Sequence, residues 1–216
     1  MKRPYIIINC AMSSDGKIAL PSRKQIRISS REDIERVYKL RNECDAVLVG
    51  IETILSDNPK LTVNENYVKN PKQPLRVILD SNCRTPTDSL ALSNNAKTLI
   101  FTSEGKKKSY QCDHIEIIEC EKDPSGLISL DCILEILYKK GIKKLLVEGG
   151  GTIIWNFLNK GLFEDFYTYI GPIIIGGKNT PTVADGYGVS NNPISLKIHN
   201  VRKLGNGILL HYKMIK

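Results

Sequence analysis

KKLLVEGGGTIIWNFL, residues 143–158, runs an apolar strand into a carboxylate, through three glycines and on into a helical pattern. An unbroken apolar run that meets a glycine turn and then a helix reads as a buried parallel strand of an α/β sheet. Glycines let another group come close to the backbone, and the free N–H groups that open the helix attract phosphate. Glu148, Gly149, Gly150, Gly151 and Thr152 are therefore candidates for a ligand turn, against the plainer reading of a tight strand-to-helix connection. The stretch has neither the Gly-Lys-Ser/Thr ending of a Walker loop nor GxGxxG.

The same alternation extends upstream. Leu130 to Lys140 has helical spacing and is stopped by Gly141; Pro4 to Cys10, Asp45 to Gly50, Leu75 to Asp80, Thr98 to Thr102 and Ile115 to Ile118 read as strands. Ser30 to Cys44 reads as a helix opened by a capping box, with Ser29 three residues ahead of Glu32. Downstream of residue 163 the long helical patterns cease. Phe166 to Ile170, Leu196 to Leu204 and Ile208 to Ile215 read as strands, the last two joined by Gly205-Asn206-Gly207, a hairpin signal. Alternating βα units followed by antiparallel strands predict an α/β domain with a mixed central sheet, flanking helices and an antiparallel C-terminal hairpin.

No repeat, low-complexity tract or long linker divides the 216 residues, so a single domain over 1–216 is expected. A chain of this size buries roughly 70% of its unfolded surface, enough for a core without staples. No apolar run approaches the ~18 residues of a membrane span, and the N-terminal apolar stretch is too short for a signal peptide. The six cysteines are scattered, without CxxC or finger-like His spacing, which argues against a zinc site or a disulfide scaffold and for reduced thiols in a cytoplasm. Charge is uneven: residues 1–108 carry 19 basic against 12 acidic residues, and residues 109–216 carry 12 against 11. A positive first half suits an anionic partner. With aromatics at 6%, basic residues interspersed with acids, and no helix-turn-helix or RNA-binding pattern, phosphorylated small molecules fit better than nucleic acid.

Three further places carry chemistry. On the helix from Ser30, Ile34, Val37, Leu40 and Cys44 form an apolar stripe in which Arg41 falls; it either snorkels or pairs with a carboxylate, or its fork holds a phosphate monoester. After the strand ending at Gly50, Thr53 and Asp57 stand four residues apart and face the same way on a helical turn. Asp15-Gly16-Lys17 is a turn. Zinc deaminase chemistry is excluded by the missing His/Cys-x-Glu and PCxxC, and a serine hydrolase by the missing GxSxG; His114, His199 and His211 have no ligand-spaced neighbours.

AMSSDGKIA, RISSREDIERVYKLRNECDAVLVGIETILSDNPKLTV, RVILDSNCRTP, LLVEGGGTIIWNFL and YIGPIIIGGKNTPT, in this order over about residues 4–215, resemble the riboflavin-pathway pyrimidine reductases. The resemblance implies a dihydrofolate-reductase-like fold and NADPH-dependent reduction of the ribosyl group of a ribosylaminopyrimidine 5′-phosphate to ribityl. With no deaminase domain in these residues, it is nearest the stand-alone form that acts on the diamino substrate. The alternatives are the deaminated substrate, a dihydrofolate-reductase-like enzyme, or a nucleotide- or nucleic-acid-binding module. Ala11, Ser14, Arg27 and Asn64 depart from patterns common in the family.

By matched position the resemblance implies that Thr53, Asp57, Ser81 and Gly149 to Asn156, with Gly150, Gly151 and Thr152, hold NADPH. It implies that Arg41, Leu61, Glu148 and Lys17 contact substrate. Within that reading Arg41 takes the phosphate tail, Glu148 the pyrimidine edge, Lys17 the sugar hydroxyls, and Asp57 the nicotinamide ribose or the reacting nitrogen, so Asp57, Lys17 and Glu148 are the catalytic candidates. No residue stands out as an obligatory acid, which leaves water as a proton donor. Ser81, Arg84, Ser103 and Lys106 are expected near the 2′-phosphate of NADPH, with Asp80 turned inward and Lys107 and Lys108 solvating their loop. No metal is expected. A homodimer is implied by the family and by the Ile- and Gly-rich segment Tyr169 to Thr182.

Overall fold

The computed structural model describes residues 2–106, 108–110 and 112–215. They group into two compact units, Met1–Tyr5 with Tyr38–Leu146, and Ile6–Val37 with Val147–Lys216. The changeovers fall inside β1 (Tyr5–Ser13), α1 (Arg31–Glu43) and β6 (Lys144–Gly149), not in linkers.

In the first unit β2 (Ala46–Gly50), β3 (Leu75–Leu79), β4 (Thr98–Ser103) and β5 (Ile115–Cys120) are parallel, in the order β5-β4-β3-β2. Strands β2 and β4 are buried along their whole length and β3 in all but Leu75, as parallel strands covered on both faces must be. The register sets Gly50 beside Leu79 and Leu79 beside Phe101, so β2 and β3 end level and β4 runs two residues further, to Ser103. The short helix α2 (Ile51–Asp57) follows β2, and α3 (Leu130–Lys139) begins where the Ser129 hydroxyl accepts from the Cys132 N–H at 3.4 Å. Helix α3 buries Ile133, Leu134 and Leu137. One core residue is a cation: Arg76 on β3 is fully buried, and its guanidinium donates to the carbonyls of Leu90, Ser93 and Ala96. Burial lowers its pKa to about 10, and its role is to hold the 3₁₀ turn Leu90–Leu92 against the sheet.

In the second unit β1 pairs parallel with β7 (Asp165–Gly171), and β7 pairs antiparallel with β9 (Gly207–Met214), which pairs antiparallel with β8 (Leu196–Leu204). Helix α4 (Gly151–Asn159) buries Ile154, Phe157 and Leu158. The expected hairpin is present. Leu204 pairs with Gly207 across a two-residue turn, Gly205 has φ +58°, and Gly207 has no room for a Cβ because the Tyr169 ring lies there. Strand β8 is exposed along most of its length.

Helix α1 departs from its expected packing. Ile34, Val37 and Leu40 are only half-buried, and its one buried residue among positions 31–43 is Asp33. The carboxylate of Asp33 accepts from the Ser29 hydroxyl at 2.6 Å and from Arg36 Nε at 2.8 Å, while Arg36 Nη2 donates to Asn9 Oδ1 at 2.7 Å. A satisfied polar network, and not the apolar stripe, thus seats the first turns of this helix. The cap is displaced by one residue as well: Ser30 accepts from the Asp33 N–H at 3.2 Å.

Candidate functional site

The first unit supplies one group of candidates. Helix α2 starts directly at Gly50, burying Ile51 and Ile54, which leaves Thr53 and Asp57 half-buried one turn apart on its outer side. Asn58 closes the helix in the left-handed region at φ +41° and accepts from the Leu90 N–H at 2.8 Å. Three residues on, Leu61 is also left-handed, at φ +54°, with its side chain 1% exposed. A buried Leu in that region is strained, and the surrounding packing must hold it there. What Leu61 offers a ligand is its backbone. Next to it the carbonyl of Thr62 accepts from Arg41 Nη1 at 3.1 Å, and the Arg41 guanidinium lies 5.5 Å from the centre of the Tyr38 ring, itself stacked on Tyr67. Arg41 and the Leu61–Thr62 backbone are therefore brought together, with the half-buried guanidinium oriented by a carbonyl and an aromatic face.

At the ends of β3 and β4, Asp80 is fully buried and accepts from both the N–H and the hydroxyl of Thr85, at 2.7 and 2.8 Å, so it turns inward as expected. Ser81 is half-buried, and its carbonyl accepts from the Ser103 N–H at 3.2 Å, which brings Ser81 and Ser103 together. The Ser103 hydroxyl is buried and has no hydrogen-bond partner among the described residues. Arg84 pairs with Glu52 at 2.7 Å. Lys108 donates to the Thr85 carbonyl and lies over the Tyr110 ring, so it does more than solvate its loop, and Lys107 lies outside the described residues. Hydroxyls and cations stand at these strand ends, where a phosphorylated group would find donors, while Asp80 is turned away from them with Oδ2 bonded to Thr85 and Oδ1 buried without a partner among the described residues.

The second unit supplies the remainder. Lys17 is half-buried, its N–H donates to Ser13 Oγ at 2.9 Å, and it bridges Thr182. Ser13 Oγ in turn donates to Asp15 Oδ1 at 2.6 Å, and Asp15 also accepts from the N–H groups of Ile175 and Gly176. The Ser13 hydroxyl first, then those backbone donors, hold the Asp15 carboxyl down at about 2. Asp15 is thus the clasp that fixes the Lys17 turn against residues 175–176. Read as a mere turn residue, it had no sequence signal for this role.

Glu148 is half-buried at the end of β6, Gly149 has φ +110°, the Gly149–Gly150 peptide is cis, and Thr152 is exposed. At Gly151 the close approach comes from the chain itself. A Cβ there would run into the Thr182 carbonyl and come within 2.8 Å of Asp185 Oδ2, and Asp185 is held in place by the N–H and hydroxyl of Thr182. Gly186 packs equally closely on the Trp155 ring. Nothing in the sequence marks Asp185. His114 bonds the Leu92 carbonyl at 2.8 Å, and His211 bonds Asp165 at 2.6 Å while stacking on Tyr167. Among the described residues no group of three or more His, Cys, Asp or Glu is placed to hold a metal, and no helix is long and apolar enough to cross a membrane.

Residues 4–210 match the RibD C-terminal domain. The 2,5-diamino-6-ribosylamino-4(3H)-pyrimidinone 5′-phosphate reductase of Archaeoglobus fulgidus is 38% identical over 212 residues, covering 95% of this chain and 95% of its own. The protein of the same name from Methanothermobacter thermautotrophicus is 36% identical over 212 residues, covering 97% and 98%. Among solved structures, a diaminohydroxyphosphoribosylaminopyrimidine deaminase/5-amino-6-(5-phosphoribosylamino)uracil reductase from Thermotoga maritima superposes with a TM-score of 0.82 at 28% identity, over 99% of this chain and 57% of that one. The α/β, dihydrofolate-reductase-like class expected from the sequence is therefore the observed one. With all but the first three and last six residues matched and two relatives agreeing over 95% or more of both chains, the chain belongs to the RibD C-terminal domain family of riboflavin-biosynthesis reductases.

Proposed function

We propose that this protein reduces the ribosyl side chain of 2,5-diamino-6-ribosylamino-4(3H)-pyrimidinone 5′-phosphate to its ribityl form, with NADPH as reductant. The observation that carries the reading is the end-to-end likeness to two stand-alone relatives of that name. NADPH over NADH is supported by Asp80, which is fully buried with Oδ2 bonded to Thr85, so that its carboxylate is turned away from an unphosphorylated ribose. It is also supported by the Ser103 hydroxyl beside Ser81, which has no hydrogen-bond partner among the described residues. Thr53, Asp57, Ser81, Gly149, Gly150, Gly151 and Thr152 are the residues that would hold the cofactor; when bound, it supplies hydride.

Each remaining residue has a defined task. Arg41, pre-oriented by Thr62 and Tyr38, receives the substrate phosphate through its fork, so that binding energy at the tail orients the reacting end. The Leu61 backbone borders that tail. Glu148 accepts from the amino edge of the pyrimidine. Lys17, fixed through Ser13 and Asp15, donates to the ribose hydroxyls. Asp57 accepts from a hydroxyl or from the reacting nitrogen, and water supplies the proton.

A homodimer is supported by the C-terminal hairpin. Ile208, Leu210, Tyr212 and Met214 share one face of β9 with their partners Lys203, Val201, Ile198 and Leu196 on β8, and Ile198, Val201 and Ile208 are 59%, 54% and 44% exposed. An apolar sheet face of that kind marks an interface. Six free cysteines fit a reducing cytoplasm.

The test is to mix purified protein with NADPH and, separately, the diamino ribosyl phosphate, its deaminated counterpart and dihydrofolate. Loss of nicotinamide absorbance that is fastest with the diamino compound is expected. A preference for the deaminated compound overturns the substrate assignment, and turnover of dihydrofolate alone overturns the reading altogether.

A further inference from the structure

Two cysteines that are 12 residues apart in sequence meet in the fold. Cys120 ends β5 and is 2% exposed, Cys132 lies in the first turn of α3 and is half-buried, and their sulfurs are 2.6 Å apart. That is well inside the ~3.5 Å or more at which unbonded heavy atoms rest, and only about 0.6 Å beyond a disulfide bond. It is also too close for a shared metal ion, because thiolates each ~2.3 Å from an ion sit nearly 4 Å from one another. The chain between them is ordered for this approach. Ser129 N–H donates to the Glu121 carbonyl, Lys122 bridges Ile128, and Asp123 N–H donates to the Leu127 carbonyl at 2.7 Å. The Ser129 cap then fixes the Cys132 backbone.

We propose that Cys120 and Cys132 are a reversible dithiol/disulfide couple, oxidised by small disulfides such as oxidised glutathione. Cys132, the reachable member, attacks one sulfur of the oxidant as its thiolate, forming a mixed disulfide and releasing one glutathione thiolate. Cys120 then loses its proton and attacks Cys132 Sγ, forming the internal bond and releasing the second glutathione. Two electrons pass from the cysteine pair to the oxidant, and the two cysteine protons end on the two glutathione thiols. Burial, reinforced by the neighbouring Cys132, raises the Cys120 thiol well above the ordinary value, so the closing step accelerates as pH rises. The product ties the end of β5 to α3 and closes the loop between them, and it operates independently of the reductase reaction.

The remaining thiols separate the outcomes. Cys112 is the exposed competitor, whereas Cys10, Cys44 and Cys83 are buried. A full-length Cys112→Ser protein is exposed to oxidised glutathione, and its intact mass is taken with and without dithiothreitol. Loss of two hydrogens, no retained glutathione, and two fewer titratable thiols are expected, all reversed by dithiothreitol. Trypsin cuts after Lys122, between the two cysteines, so their peptides should run joined until reduced. Oxidation should raise the melting temperature by about 5–10 °C, the range for closing a loop of this length in a chain of this size. Adding Cys120→Ser should convert the product to a persistent glutathione adduct on Cys132. A persistent adduct in the Cys112→Ser protein itself, or retention of all five of its thiols after treatment, overturns the proposal.

Discussion

Two strands in this molecule, β2 and β6, run straight into helices through glycine, and they end differently. After β2, Gly50 leads into α2 with no side-chain cap, and the chain then passes through two left-handed non-glycine residues, Asn58 and Leu61, to meet Arg41 at Thr62. After β6, three glycines lead into α4, and the space beside Gly151 is filled by Thr182 and Asp185. The glycine-rich turn is the more conspicuous motif, yet one of its glycines exists so that the chain can approach itself. The plainer turn carries the strain, held at Leu61 by a buried side chain. Glycine content marks close approach without saying what approaches.

Substitutions at the two turns should separate these accounts. The largest effect is expected from Leu61→Ala, which removes a buried side chain yet keeps a residue that resists the left-handed region. It should cost about 3 kcal/mol in urea unfolding, and a loss under about 1 kcal/mol would mean that packing does not hold this position. Gly151→Ala should cost about 2 kcal/mol, because the obstacle is the Thr182 backbone and not a movable side-chain tip. Full stability there would place the Thr182–Asp185 segment elsewhere in solution.

Asp185→Ala should be milder, about 1 kcal/mol, since it frees the Thr182 N–H and hydroxyl to bond water. It should also remove the second obstacle to a Cβ at Gly151 and release the bonds that hold Thr182 against it, so that the double variant with Gly151→Ala loses less than the two single losses combined; strict additivity would uncouple the two sites. The smallest effect concerns pH. The Asp15 carboxyl, at about 2 in the folded protein, lies below its unfolded value, so its contribution is complete above roughly pH 4 and fades as pH falls toward 2. Asp15→Asn should flatten the stability profile across that interval only. An unchanged acid limb would show that Asp15 does not clasp residues 175–176.

The sheet was legible because β2, β4 and β6 each hold a run of three or four consecutive apolar residues and β3 is broken only by Arg76, and a strand covered on both faces leaves that trace whatever surrounds it. Helix α1 was legible as a helix but not in its packing. Periodicity takes Ile34, Val37 and Leu40 as the inner face, whereas Asp33 becomes the buried residue through Ser29, Arg36 and Asn9, the last of these 27 residues from Arg36. Asp80 was readable as an inward acid because its partner, Thr85, is local; Asp185 was not, because its relation to Gly151 spans 34 residues with no periodic signature. The meeting of Cys120 and Cys132 was hidden for a related reason, since only the fold of residues 121–131 sets their spacing. Arg41 could be singled out as an arginine on an apolar stripe. What orients it, the Thr62 carbonyl and the Tyr38 ring, required the structure.

The central claim is that the Arg41 and Leu61 region holds the phosphorylated tail of a substrate. Calorimetric titration of the wild-type and Arg41→Ala proteins with the ribosylaminopyrimidine phosphate, and separately with NADPH, tests it most directly. A substrate affinity weakened by about 30-fold or more, equivalent to ~2 kcal/mol, with NADPH affinity unchanged within about twofold, is the predicted result. Equal losses for substrate and NADPH, or none for the substrate, would contradict the assignment.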